Sequence, residues 1–333
     1  MRNPLSSNPI RVRFEPPSSA TDLTANLVAA LEMLTDARRV ELVGSGDTAD
    51  VVHTTGSTQV PWAGRALRVH SIERLPLREN GLSPAGWWVR SCNRMIPAVA
   101  TWLVHGQTAA RLLVSSGVAP GGRIRCLPLL GPAAAAPSST SIGETRADLR
   151  RVLDVAPGVR LAVGLEPGTS HLGAAAWAPT LHALRRSDLV VAQLRPVPGA
   201  PGQYAVRRVD GRHGAVTAPL AVVLRAADVI VATDSGLAAA SPSAAAVDVG
   251  LPVVAVTTDS AAELVLSGGA GCVVPPRAEA VAQAVVSMLE GGVTARRFGP
   301  GPQDERRKVA LLAHHLLDTY RQSLTVAMVR GLA

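Results

Sequence analysis

Lysine is almost absent from this sequence. Lys308 is the only one, so arginine carries nearly all the positive side of a formal net charge of +8. Aromatic residues make up only 3%, and no basic run is interleaved with them, which excludes a base-stacking surface for nucleic acid. Cysteine is limited to Cys92, Cys126 and Cys272. They follow no metal-ligand or redox spacing and are expected as buried thiols in a reducing compartment. Long apolar runs are missing too. Although 47% of residues are hydrophobic, no stretch approaches the roughly 20 apolar residues that span a bilayer. The first residues, Met1 to Ser7, lack the apolar stretch of a secretory leader. A cytoplasmic protein is expected. Its arginines suit phosphates or peripheral contact with an anionic membrane at the inner face. The abundance of Ala, Val, Gly and Pro reflects a GC-rich genome.

What is present is a regular alternation. Short apolar runs are separated by amphipathic stretches, the pattern of strands and helices wound around parallel sheets. Strands are expected at Ile10–Phe14, Val40–Val43, Val51–His53, Ala66–His70 and Arg123–Pro128, with a helix from Thr21 or Asp22 to Leu34 and another over Thr108–Ser116. Trp87–Val104, interrupted by Pro97, reads as a bent helix entering a strand. Gly131–Thr145 is Pro, Ala, Ser and Gly with little else, a linker composition. A second series follows. Strands are expected at Arg160–Gly164, Leu189–Leu194, Val229–Ala232, Val253–Val256 and Val273–Pro275. Helices are expected at Gly173–Arg186, Pro219–Ala226, Ser243–Val249, Ala278–Leu289 and Arg306 to Val329. The expected organisation is an α/β first domain over 1–132, a linker over 133–145, a second α/β domain over 146–295 and a C-terminal helical segment over 296–333 that crosses back to the first domain.

Two stretches carry a family resemblance. Ala226–Pro276 reads AADVIVATDSGLAAASPSAAAVDVGLPVVAVTTDSAAELVLSGGAGCVVPP. It resembles the donor half of family 4 glycosyltransferases: a strand opening on A-D-V, a helix, a G-x-P-V-V strand, an E-[IL]-V turn and a G-x-G-x-x-V-P-P strand, in that order. In the first half, RVHSIERLPLR (Arg68–Arg78) resembles the strand and loop around the family's active-site histidine. Thr108–Pro132 looks like the family's passage into the interdomain linker. The resemblance implies a GT-B fold, two Rossmann-like domains facing across a cleft, with a nucleoside diphosphate sugar as donor and no cofactor or metal. It implies hexosyl transfer with retention, Glu263 on the donor ribose, and His70 against the sugar. Gly164 and Ser235 would lie beside the donor phosphates.

The same register exposes departures. Where the family places a pair of glutamates eight residues apart, this chain has Leu237 and Ala245. After the first strand of the second domain the family carries an Arg and a Lys for the diphosphate. Here Leu165-Glu166-Pro167 follows Gly164. Removing one transition-state contact costs about 3–4 kcal/mol, so several losses leave little of the standard chemistry unless other groups replace them. Asp234 is the candidate substitute carboxylate and Arg74 a candidate cation. Bland roles stand beside these: His70 as a strand-end cap of backbone groups, and Asp234 with Ser235 as a helix N-cap pair. The arginines of Arg146–Arg151 and Arg306–Arg307 read as solvated helix faces. Two readings remain open, a hexosyltransferase and a non-catalytic relative that binds a sugar nucleotide or a partner protein.

Overall fold

The computed structural model describes residues 8–16, 22–56, 66–72, 77–78, 81–82, 99–115, 119, 121–128, 146–165, 184, 188–211, 214–233, 237–257, 261–268, 271–291 and 302–329. The chain divides into two compact units, Met1–Pro128 with Pro302–Ala333, and Leu129–Gly301. The elements expected over 87–97, 131–145 and 173–183 lie outside the described residues.

Unit 1 is built on a six-stranded sheet of β1 (Ile10–Glu15), β2 (Val40–Leu42), β3 (Val51–Gly56), β4 (Leu67–Ile72), β7 (Val99–His105) and β8 (Ile124–Leu127). Two short strands, β5 (Leu77–Arg78) and β6 (Gly81–Leu82), pair separately. The spatial order is β2-β1-β3-β4-β7-β8, and every neighbouring pair is parallel. Parallel strands need crossovers, and α1 (Asp22–Asp36) and α2 (Gln107–Ser115) supply two. Leu27, Ala30, Leu31 and Leu34 of α1 are buried, the i, i+3, i+4, i+7 stripe of an amphipathic helix.

Unit 2 carries a seven-stranded sheet of β9 (Arg160–Leu165), β10 (Leu189–Pro196), β11 (Gln203–Arg208), β12 (Val216–Pro219), β13 (Val229–Ala232), β14 (Val253–Val256) and β15 (Gly271–Val274). Its order is β12-β11-β10-β9-β13-β14-β15. The strands from β10 to β15 in that order are parallel, and β11 runs antiparallel between β10 and β12. Its helices are α3 (Arg146–Val152), α4 (Leu220–Ala226), α5 (Leu237–Asp248), α6 (Ala261–Gly268) and α7 (Ala278–Glu290). Val229, Ile230, Val231, Val253, Val254 and Ala255 are all fully buried, as befits central parallel strands covered on both faces.

The last helix, α8 (Pro302–Val329), belongs to unit 1, where it packs on α1, β4, β7 and β8. Leu312, Ala313, Leu316, Leu317, Tyr320 and Ala327 form its buried stripe. Among the described residues no helix is long and apolar enough to cross a membrane.

Four expectations change. β11 stands where no element was expected, because Gln203–Arg208 buries only its alternate residues Tyr204, Val206 and Arg208. The helix expected at Ser243–Val249 begins at Leu237. The E-[IL]-V stretch, Glu263–Val265, expected as a turn, lies in the first turns of α6. The thiols of Cys126 and Cys272 are half-buried rather than buried, and Cys92 lies outside the described residues.

Candidate functional site

In parallel α/β sheets ligands meet the carboxyl ends of the strands, so those ends are the place to look in each unit. In unit 2, β13 ends at Ala232 and is followed by Thr233. The Thr233 side chain is only 3% exposed, and its hydroxyl has no hydrogen-bond partner among the described residues. α5 begins four residues later. The neighbouring β14 ends at Val256, and α6 starts at Ala261. Glu263 is half-buried in the first turn of α6. A carboxylate is favoured there by the helix dipole. Gly164 is buried inside β9, with Gln193 on one side and Val231 on the other, so it offers backbone only. Asp234, Ser235 and Arg74 lie outside the described residues. Leu237 opens α5, and Ala245 packs from the same helix onto the sheet core. Leu165 closes β9 and is buried in that core.

The opposite end of the same sheet is held by Asp228. Its carboxylate accepts the backbone N–H of Leu161 at 2.8 Å and an Arg150 N–H at 3.2 Å. Arg146 and Arg160 stand 3.7 and 3.8 Å away. Arg150 also donates to the Ala226 and Val159 carbonyls. Asp228 therefore ties the amino ends of β9 and β13 to α3, through Arg150 in the last turn of that helix, at the end of the sheet opposite the strands' carboxyl ends. Arg150, on the stretch read as a solvated face, is largely buried for this reason.

In unit 1, His70 is wholly buried in β4. Its Nδ1 is 2.7 Å from Thr54 Oγ1 on β3, and its ring stands edge-on to Trp102 of β7, centroids 5.3 Å apart. The register explains the meeting: Thr54, His70 and Trp102 are direct cross-strand partners and share a face. The other face carries His53, which sequence reasoning did not single out. Its Nδ1 lies 2.6 Å from the Tyr320 hydroxyl and its Nε2 2.8 Å from Ser71 Oγ. Burial, with His70 nearby, pushes the His53 pKa down to about 3. Thr101 and Ser323 bond at 2.6 Å on the same face. His105 closes β7 and is 5% exposed, with Nδ1 donating to the Pro128 carbonyl at 3.0 Å. Burial brings its pKa down to about 4. The one sequence signal for His105 is the strand-Gly-helix junction at Gly106, whose φ is 91°.

A parallel sheet in unit 1 and a largely parallel one in unit 2, with the C-terminal helix returned to the first unit, match a known architecture. A glycosyltransferase from Rickettsia africae ESF-5 superposes with a TM-score of 0.56 at 11% identity, covering 96% of this chain and 99% of that one. The fold is GT-B. Sucrose-phosphate synthase from Thermosynechococcus elongatus superposes with a TM-score of 0.52 at 18% identity, covering 90% of this chain and 78% of that one. Anabaena HepE, solved in complex with UDP and glucose, gives 0.51 at 12% identity over 96% and 100%. No protein-family model matches the sequence, and no curated protein does. At these identities the GT-B likeness carries the fold and leaves the chemistry to the residues.

Proposed function

We propose that this chain is a glycosyltransferase-type protein whose second unit takes a nucleoside diphosphate sugar. The observation that carries the reading is Glu263, a half-buried carboxylate in the first turn of the helix that follows β14. A carboxylate at that position accepts hydrogen bonds from vicinal hydroxyls, and the adjacent helix N-termini favour a diphosphate. The UDP held by HepE gives the ligand class a precedent within the same fold. If active, the chain moves a hexosyl group to an acceptor held by unit 1, with retention and without a metal. Gly164 and Ser235 would flank the phosphates, Asp234 and Arg74 would replace the missing charges, and His70 would face the sugar from unit 1.

A second reading has its own support. Ala245 packs on the sheet core instead of carrying a carboxylate, and α5 is already helical at Leu237. Those positions favour a non-catalytic relative that binds a sugar nucleotide or a partner protein, with or without peripheral contact to an anionic membrane. Calorimetric titration with UDP, GDP, ADP and their sugar conjugates, followed by a hydrolysis assay, separates the two. Binding with turnover supports transfer, binding without turnover supports the non-catalytic relative, and no binding removes the sugar nucleotide from both.

A further inference from the structure

His105 Nε2 is a buried lone pair with no hydrogen-bond partner among the described residues. The assignment of that lone pair follows from the other nitrogen. A carbonyl only accepts, so Nδ1 must carry the proton that reaches Pro128 at 3.0 Å, and a neutral ring then leaves Nε2 as an acceptor. With its pKa brought to about 4 by burial, the ring is neutral at pH 7. An unmade buried hydrogen bond costs about 1–3 kcal/mol, and such groups in native proteins call for an explanation.

Position supplies one. His105 is the last residue of β7, at the carboxyl end of a parallel sheet, and only Gly106 separates it from α2. On the same face, two strands away, Thr55 Oγ1 is also buried and also lacks a partner among the described residues. The register places them together. Thr55 pairs with Ser71, Ser71 with Leu103, and His105 follows Leu103 by two, so all four side chains leave the sheet on one side. Two strand spacings across and two residues along put the Thr55 and His105 backbones roughly 12 Å apart across the end of β4, a span that a hexose-sized polyol can bridge. The neutral lone pair also selects its partner. It repels a phosphate oxygen and accepts an O–H.

We infer that His105 binds the acceptor substrate, its Nε2 accepting a hydrogen bond from a hydroxyl of a polyhydroxylated molecule, with Thr55 as the second contact. This rests on the reading of unit 1 as the acceptor side and adds the chemical class of the acceptor. The test uses the full chain with ¹⁵N-labelled histidine. The His105 Nε2 resonance is followed while D-glucose, myo-inositol or glycerol is added, with and without saturating UDP. The expected result is a displacement of Nε2 toward the hydrogen-bonded position with at least one of the three. His105→Leu should weaken that polyol about tenfold, the effect of one lost hydrogen bond. His105→Gln, which keeps one donor and one acceptor, should recover most of it. UDP affinity should be the same in all three proteins. A Nε2 signal already hydrogen-bonded in buffer and unmoved by every polyol means an ordered water holds it, and overturns the inference. Equal polyol binding by His105→Leu overturns it too. Failure of the parent chain to bind any of UDP, GDP and ADP would instead count against the proposed function, which keeps the two failures apart.

Discussion

The Tyr320 hydroxyl lies 2.6 Å from His53 Nδ1, joining residues 267 apart in sequence inside a wholly buried setting. Ser71 takes the other nitrogen, so the ring is bonded on both sides. This pair keys the terminal helix to the sheet of unit 1. Tyr320→Phe removes only the hydroxyl and leaves one imidazole nitrogen unmet. The expected loss is about 1–3 kcal/mol. Chemical denaturation measures it, and a loss near zero would mean that apolar packing alone seats α8.

His53 also sets a pH dependence. Its folded pKa, about 3, is below the ordinary histidine value of 6.5, so the unfolded chain binds the extra proton first. Stability from this group is complete above about pH 6.5 and is lost as pH falls toward 3. His105, at about 4, acts in the same direction. Each group adds a slope approaching about 1.4 kcal/mol per pH unit inside its window. Urea midpoints should therefore fall between pH 7 and pH 5, and less steeply in His53→Gln. A flat profile would contradict the burial of these rings.

Asp228→Ala should destabilise unit 2 by about 3–5 kcal/mol, the cost of leaving a buried cation without its partner. Arg150 would keep its two carbonyls and lose its counter-charge, and the Leu161 N–H would lose its acceptor. Nucleotide binding at the far end of the sheet should be affected far less than stability. Denaturation and titration of the same variant check both halves.

Gly271 opens β15 with φ 143°, and a Cβ there would lie 2.0 Å from the Val253 carbonyl oxygen. No side chain fits without moving the β14 backbone. Gly271→Ala should cost about 3 kcal/mol, read from the same unfolding curves.

Much of this fold was legible because its central strands are continuous apolar runs. Val229–Ala232 and Val253–Val256 announce themselves, and the Leu27–Ala30–Leu31–Leu34 stripe announces α1. The β11 strand did not, since Tyr204, Val206 and Arg208 alternate with exposed or half-exposed residues between glycine turns at Gly199, Gly202 and Gly211. Arg208 is buried only because the Leu153 and Asp154 carbonyls and Asp210 receive its N–H groups, partners no local pattern reveals. The candidate site was legible in part: Glu263 was singled out by its resemblance to the E-[IL]-V turn, whereas nothing local marks the buried groups of unit 1. The pairing of His53 with Tyr320 depends on a helix returning from the end of the chain, and the significance of His105 depends on where Pro128 points its carbonyl.

The account stands or falls on Glu263 and a nucleoside diphosphate. The measurement is calorimetric titration of UDP, GDP and ADP, each with its sugar conjugates, into the parent protein and Glu263→Ala. The account predicts micromolar binding of at least one nucleotide by the parent and about tenfold or greater weakening in the variant, the loss of a charge-assisted hydrogen bond. No binding by the parent, or equal binding by the two proteins, would contradict it.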